Sequence, residues 1–224
     1  QFLIWRPAVQ ATVTIVIMCA AHRFPERRSL LRRTVQRAVA QVTDARLEVI
    51  VLDDGPDTVG WPDVALALDA AEKSGVKLRY VALPPAEDGS VSMRLKRNVG
   101  MLLAQHSVVC FFDDDDWRSL DSVQAQLEAL DGAAADVCTV QVQHVCEIEA
   151  GAAEVRYYAT VDGGGLFSTR LGNPGTMAIK RAAWDANPGI GFPDTPNEDV
   201  DAMRLLLSDA SLLATSRPGT VRHV

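Results

Sequence analysis

The chain has 224 residues, of which 48% are hydrophobic and 23% charged, and its formal net charge is −7. That composition belongs to a soluble globular protein with a sizeable core, long enough for one large domain or two small ones. The acidic balance argues against a nucleic-acid polymer or an anionic membrane surface as the main partner.

In chain order, the β-branched, apolar run Thr12 to Cys19 predicts a core strand. Glu26 to Val42 carries Leu31, Val35, Ala38 and Val42 at helical spacing, and its arginines predict a solvated face. Leu47 to Leu52 predicts a second strand that ends at Asp53-Asp54-Gly55-Pro56. Pro62 to Ser74 predicts a helix stopped by Gly75, and Val76 to Leu83 a third strand. Ser92 to Gln105 is expected to be helical, Ser107 to Phe112 a fourth strand, and Leu120 to Leu130 the helix after it. Repeated β-α units of this spacing predict a parallel sheet covered by helices. The pattern then changes. Asp136 to Glu149 and Ala153 to Thr160 read as a hairpin, followed by the loop Gly163-Gly164-Gly165, a short strand at Thr176 to Ile179 and a helix at Val200 to Leu207. The expected fold class is therefore α/β, Rossmann-like, with a mostly parallel central sheet flanked by helices and a mixed second half.

Of the four cysteines, Cys19, Cys110 and Cys138 lie in apolar strand-like runs and no C-x-x-C pair occurs, with Cys146 the fourth. Buried free thiols in a reducing compartment are expected, which points to the cytoplasm. The longest apolar candidate, Val13 to Ala21, is about half the length a membrane helix needs. The chain starts at Gln1 and stops at Arg222-His223-Val224, and it reads as one domain, 1–224, cut from a longer protein.

Three acidic clusters carry the chemistry: Asp53-Asp54, Asp113-Asp114-Asp115-Asp116 and Glu198-Asp199. The first two each end a predicted core strand, so in a parallel sheet both emerge at one edge, where ligands of open α/β sheets bind. Taken singly, Asp54-Gly55 also reads as a turn, the four-aspartate run as a solvated acidic turn, and Glu198-Asp199 as a helix cap. Four adjacent carboxylates repel unless a positive charge sits among them, and a divalent cation carrying a phosphate-bearing substrate answers that need.

The segments Thr14-Ile15-Val16-Ile17, Val49 to Gly55, Arg97-Asn98-Val99-Gly100 with Cys110 to Trp117, and Gly175 to Arg181 with Glu198 to Asp201 occur in this order. Together they resemble the family 2 glycosyltransferases of the glycosyltransferase A fold, from about Thr12 to Val224. The resemblance implies a nucleotide-binding half over about 10–117 and an acceptor half over about 118–224. It implies an inverting transferase that moves a sugar from a nucleotide-diphosphate donor, first of all a UDP-sugar, to a saccharide, lipid-linked or other hydroxyl acceptor. Asp53 and Asp54 would bind the base or ribose, Arg97 the diphosphate, and Asp113 and Asp114 the rest of the donor. Asp115 would ligate Mn²⁺ or Mg²⁺, with His223 either a further ligand or a surface residue. Asp113 and Asp115, as alternate residues of an extended strand, would both face the donor. Asp199 would be the general base, with Glu198 orienting it or the acceptor. Trp117 is expected to pack beneath the acidic run, Trp184 to shape the acceptor cleft, and Gly163 to Gly165 with Gly189 to Pro193 to form a flap. The arginine-rich helix leaves room for peripheral docking at the inner face of the membrane, although this chain shows no transmembrane segment. Two alternatives share the nucleotide and metal chemistry. A sugar nucleotidyltransferase would carry a Gly-rich phosphate loop after the first strand, where Cys19-Ala20-Ala21-His22-Arg23 stands instead. The other is a non-catalytic binding module of the same fold.

Overall fold

Alternating strand and helix segments follow one another through the first half of the chain. In the computed structural model they are β1 (Thr12–Met18), α1 (Arg28–Val39), β2 (Arg46–Asp53), α2 (Pro62–Ser74), β3 (Lys77–Ala82), α3 (Met93–Leu103) and β4 (Val108–Asp113). Then come β5 (Asp116–Trp117), α4 (Ser122–Gly132), β6 (Val137–Val140), β7 (Val142–Ile148), β8 (Val155–Asp162), β9 (Asn173–Lys180), α5 (Arg181–Asp185), β10 (Leu213–Ser216) and β11 (Val221–His223). The structure describes residues 10–20, 24, 27–55, 62–84, 91–140, 142–148, 155–162, 173–186, 191–193, 213–216 and 221–223. Side chains are described for 10–20, 24, 27–55, 62, 64–84, 91–139, 176–186 and 191–193.

Seven strands form the main sheet in the order β10-β6-β9-β4-β1-β2-β3. β1 pairs in parallel with β2 and with β4, and β2 in parallel with β3, whereas β9 runs antiparallel to both of its neighbours. Both faces of the central strands are covered, which explains why their sequences are apolar almost without interruption. On one face Val13, Ile15 and Ile17 pack with Leu31 and Val35 of α1 and Val123 of α4. On the other, Val16, Ile50 and Phe111 pack with Met101 of α3 and with Phe192. Cys19, Cys110 and Cys138 are buried free thiols, as expected. No described helix is long and apolar enough to cross a membrane.

Two details depart from expectation. Helix α1 stops at Val39, and Val42 is 66% exposed instead of core-facing. The backbone there has left the helix to bond across to α4's approach, Val42 N donating to Leu120 O. The run Asp136 to Glu149 is not one strand but two, with β6 in the main sheet and β7 in a four-stranded sheet ordered β5-β11-β7-β8. At about 3.3 Å per residue a single strand of that length would overrun its neighbours, so the chain changes sheets. The antiparallel pairing of β7 with β8 does follow the expected hairpin. The helix expected at Val200 to Leu207 and the loop Gly163 to Gly165 lie outside the described residues.

Helix α3 packs directly against β1 and β2. Ser92 caps its start by accepting from Leu95 N at 3.2 Å. Arg181 closes its end by donating to the carbonyls of Met101 at 2.8 Å and Ala104 at 2.6 Å. Gly100 faces β1, and a Cβ there would stand 2.7 Å from Cγ1 of Val16. Mid-helix, alanine is favoured over glycine by about 1 kcal/mol. The clash with a stiff β-branched side chain in a filled core costs about 1–3 kcal/mol, so the net sign is destabilising. Gly100→Ala is expected to lower the thermal midpoint by a few degrees, and Val16→Ala in the same chain to recover part of the loss. A midpoint equal to or above that of the unaltered protein would refute the close-approach argument.

Candidate active site

β1 and β4 lie side by side with Met18 opposite Asp113. The strand order reverses between them, since β2 and β3 continue on the far side of β1. Such a reversal leaves a crevice beyond the carboxyl ends of the strands. Here a cleft of about 290 Å³ opens at that point. It is lined by Met18, Cys19 and Ala20 after β1, by Asp113, Asp114 and Asp115 after β4, by Arg27 at the start of α1, and by Met93 and Arg97 of α3.

The acidic run is a turn, not a strand. β4 ends at Asp113, Asp114 and Asp115 make the turn, and β5 begins at Asp116. Strand alternation therefore does not orient Asp113 and Asp115, yet the turn still brings both to the cleft. Asp114 is buried, and its two oxygens accept from Arg27 Nη1 at 3.1 Å and Ala20 N at 3.0 Å. Its carbonyl accepts from the Thr34 hydroxyl at 2.9 Å. Asp115 accepts from Arg27 Nη2 at 2.6 Å. Asp116 is buried 4.0 Å from Nη2 of the equally buried Arg118, which also donates to Phe111 O at 3.0 Å and lies over the Phe112 ring. Neither Asp114 nor Asp116 is a solvated turn residue. The α1 arginines are not a solvated face either. The guanidinium groups of Arg33 and Arg37 sit 5.6 and 4.9 Å from the Trp117 ring, and Arg37 Nε donates to the Arg118 carbonyl.

Burial dominates the electrostatics. It pushes the Asp113 carboxyl up to about 7, helped by the charge of Asp116 and opposed by Arg97 and Arg118. The Asp113 Oδ1 is enclosed and has no hydrogen-bond partner. Asp114 is raised to about 6, again by burial first, against the Ala20 N–H and Arg27. At the end of β2, Asp53 accepts from its neighbour's backbone N–H (Asp54 N, 2.8 Å) and from the Tyr80 hydroxyl. Asp54 is buried, 3.6 Å from Lys96 Nζ, with its Oδ1 enclosed and without a hydrogen bond. Burial raises its pKa and Lys96 opposes the rise.

Among the described residues no three acidic, histidine or cysteine side chains converge on one point. Mg²⁺ sites that act on nucleotides take one or two carboxylates and complete their shell with phosphate oxygens and water. The oxygen-only pair Asp113 and Asp115, with an enclosed Asp113 oxygen lacking a partner, fits a hard cation of that kind. The backbone of β11 pairs antiparallel with β5, which puts His223 at the register position opposite Asp116. Glu198 and Asp199 lie outside the described residues.

The model for Glycosyl transferase family 2 matches residues 15–156, from β1 to β8. The chain belongs to glycosyl transferase family 2. Among solved structures, S. aureus TarS is similar at 14% identity and a TM-score of 0.66, over 95% of this chain and 36% of that one. The 1–349 fragment of TarS in complex with UDP-GlcNAc is similar at 16% identity and a TM-score of 0.66, over 94% of this chain and 58% of the other. The mannosyltransferase PcManGT from Pyrobaculum calidifontis, in complex with GDP-Man and Mn²⁺, is similar at 14% identity and a TM-score of 0.67, over 96% and 57%. At these identities the likeness is one of fold, a glycosyltransferase A arrangement. This chain spans only 36%, 58% and 57% of the three neighbours' lengths. A search of curated proteins finds no match.

Within this family 2 domain the Arg-Asn-x-Gly stretch divides its work along one helical turn. Arg97 lines the cleft and lies 5.6 Å over the Phe192 ring, while Gly100 admits β1. Asn98 exchanges two hydrogen bonds with the backbone of Phe192, at 2.8 and 3.2 Å. Phe192 is buried edge-on against Phe111 and stacked on Trp184, so this end of the expected flap is an anchor. The sequence analysis missed three cationic residues at the site: Arg27, Lys96 and Arg118. Only Arg27 had a usable signal, its place after β1 at a predicted ligand edge.

The raised carboxyls make a stability prediction. Asp54, Asp113 and Asp114 hold protons in the folded chain at pH values where the unfolded chain has lost them, so stability of the ligand-free protein falls as pH rises from about 4 to about 7. Asp113→Asn removes part of that fall. In chelator at pH 8 it is expected to raise the thermal midpoint by roughly 3 °C or more and to flatten the profile between pH 4 and 7. A lowered midpoint at pH 8 would mean that the Asp113 charge is already compensated.

Proposed function

We propose that this domain is the catalytic unit of an inverting, divalent-metal-dependent glycosyltransferase that uses a nucleotide-diphosphate sugar. The observation that carries the reading is the cleft at the β1–β4 reversal, where Asp113 and Asp115 face Arg27 and Arg97 in one space. Carboxylates there suit a cation and arginines suit a diphosphate, and in this reading the family 2 chain uses both together. The neighbour in complex with GDP-Man and Mn²⁺ supports this pairing of donor and metal, and the one in complex with UDP-GlcNAc supports a nucleotide-sugar donor.

In this reading Asp53 and Asp54, one strand over, hold the base and ribose, and Arg97 neutralises the diphosphate. Asp113 and Asp115 hold Mn²⁺ or Mg²⁺, with His223 as a further ligand. The bound cation would supply Lewis-acid stabilisation of the departing diphosphate. Asp199 takes the proton of an acceptor hydroxyl as that oxygen bonds to the anomeric carbon, Glu198 orients it, and the bond from the anomeric carbon to the phosphate oxygen breaks. Attack opposite the leaving group inverts the anomeric centre. The acceptor is a hydroxyl compound, saccharide or lipid-linked.

Thermal unfolding with UDP, GDP, dTDP or CDP, each with and without Mn²⁺, tests the donor half. A ligand at about 100 times its Kd adds roughly 2.7 kcal/mol, a shift of roughly 5–10 °C for a domain of this size. The expected result is a shift with one nucleotide that needs Mn²⁺ and is lost in Asp115→Ala. No shift with any nucleotide would reject the transferase reading. For the acceptor half, Asp199→Asn is expected to cut sugar transfer at least about 100-fold while the nucleotide-dependent shift persists. Undiminished transfer would remove Asp199 from the base role.

A further inference from the structure

The acidic turn already holds a cation of its own. Arg27 spans Asp114 and Asp115 with its two terminal nitrogens, at 3.1 and 2.6 Å, and it lines the same cleft as Asp113 and Arg97. Its setting differs from that of the other cation facing the turn from β5's side. Arg118 is fully enclosed and tied to a strand carbonyl, whereas the Arg27 side chain is 34% exposed at the mouth of the cleft, with its guanidinium over the Phe24 ring, 5.5 Å away. Asp114 has a second donor in Ala20 N, so it stays held when Arg27 leaves; Asp115 is itself one-quarter exposed and opens to the cleft. The two ends of Arg27's ion pair are thus unequal, with a clamped end at Asp114 and a releasable end at Asp115.

We propose that Arg27 is an exchangeable counter-ion, which pairs with Asp115 while no metal is bound and turns to the donor diphosphate when the metal arrives. The proposal rests on the metal-dependent transferase reading above. A divalent ion at Asp115 meets a guanidinium already there, so the ion alone binds weakly. When it comes with a nucleoside diphosphate, the displaced guanidinium gains a new anionic partner in the same cleft, and the two binding events reinforce each other. Arg27 in this role makes metal and donor bind as a pair, and keeps the four-aspartate turn from collecting cations while no donor is present.

The role predicts changes of opposite sign, which a merely structural arginine would not produce. Binding of Mn²⁺ alone is read from the loss of the free-ion electron paramagnetic resonance signal, and binding of UDP and of GDP at saturating Mn²⁺ by calorimetry. The proteins compared are the unaltered chain, Arg27→Gln, which removes the charge but keeps a polar, unbranched side chain, and Arg27→Lys. Folding of each is checked by circular dichroism. Arg27→Gln is expected to bind Mn²⁺ alone about tenfold more tightly and the nucleotide about fivefold more weakly, with Arg27→Lys between. If Mn²⁺ alone binds Arg27→Gln no more tightly than the unaltered chain, or if both affinities weaken together, Arg27 is a prop of the turn and the proposal fails. A chain that binds neither UDP nor GDP at any Mn²⁺ concentration, and shows no thermal shift with dTDP or CDP either, sinks the transferase reading instead, and the Mn²⁺ comparison then still decides whether Arg27 is exchangeable.

Discussion

Repulsion among Asp113, Asp114, Asp115 and Asp116 at the end of a buried strand is the constraint around which the neighbouring elements are arranged. Two unit charges 4 Å apart repel by about 4 kcal/mol at the effective dielectric of a protein surface. A run of four needs opposing charge from several directions. Arg27 comes from the start of α1, Arg97 from α3 and Arg118 from just past β5, so helices on both faces of the sheet are tied to one turn. Even so, burial leaves Asp113 and Asp114 above their ordinary range. The arginines therefore compensate the turn only in part, and a divalent ion would add to that compensation.

The same turn fixes where α1 lies. Thr34 donates to the Asp114 and Asp116 carbonyls, Arg37 to the Arg118 carbonyl, and Arg33 and Arg37 cover the Trp117 ring. An arginine-rich helix that would serve solvation elsewhere here satisfies the carbonyls of a tight turn and shields its aromatic residue. Stability of this part of the fold and readiness of the site are consequently one property, because both run through the same side chains.

That coupling explains how much of the molecule was legible in sequence. β1, β2 and β4 are read without difficulty because strands covered on both faces must be apolar throughout. Asp53-Asp54 and Asp113 to Asp116 then mark the ligand edge by position alone. Arg27 is legible only by its place after β1, and Lys96 not at all, because what makes each part of the site is a distant partner: Asp114 and Asp115 for Arg27, 87 and 88 residues away, and the Cys19 carbonyl for Lys96, 77 residues away. Helical spacing says which face a residue occupies, not that the face meets an acidic turn. β5 and β11 have two and three residues, too short for any period to declare itself. The break between β6 and β7 hides for the opposite reason, since the apolar run continues while the chain changes sheets.

One helical turn joins the donor edge to the second half of the chain. Gly100 lets α3 lie against Val16, which carries Arg97 to the cleft, and Asn98 between them grips the backbone of Phe192 with both its amide oxygen and its amide nitrogen. Phe192 in turn sits between Phe111 of β4 and Trp184 of α5. A shift of α3 away from β1 would therefore move the cleft-lining Arg97 and the 191–193 segment at once. A side-chain amide bonded at both ends to one residue tolerates little change in distance or angle. The Arg-Asn-x-Gly stretch can thus be understood as a spacing device. Its glycine sets the depth of the helix, its arginine uses that depth at the cleft, and its asparagine passes the same depth to the segment that follows α5.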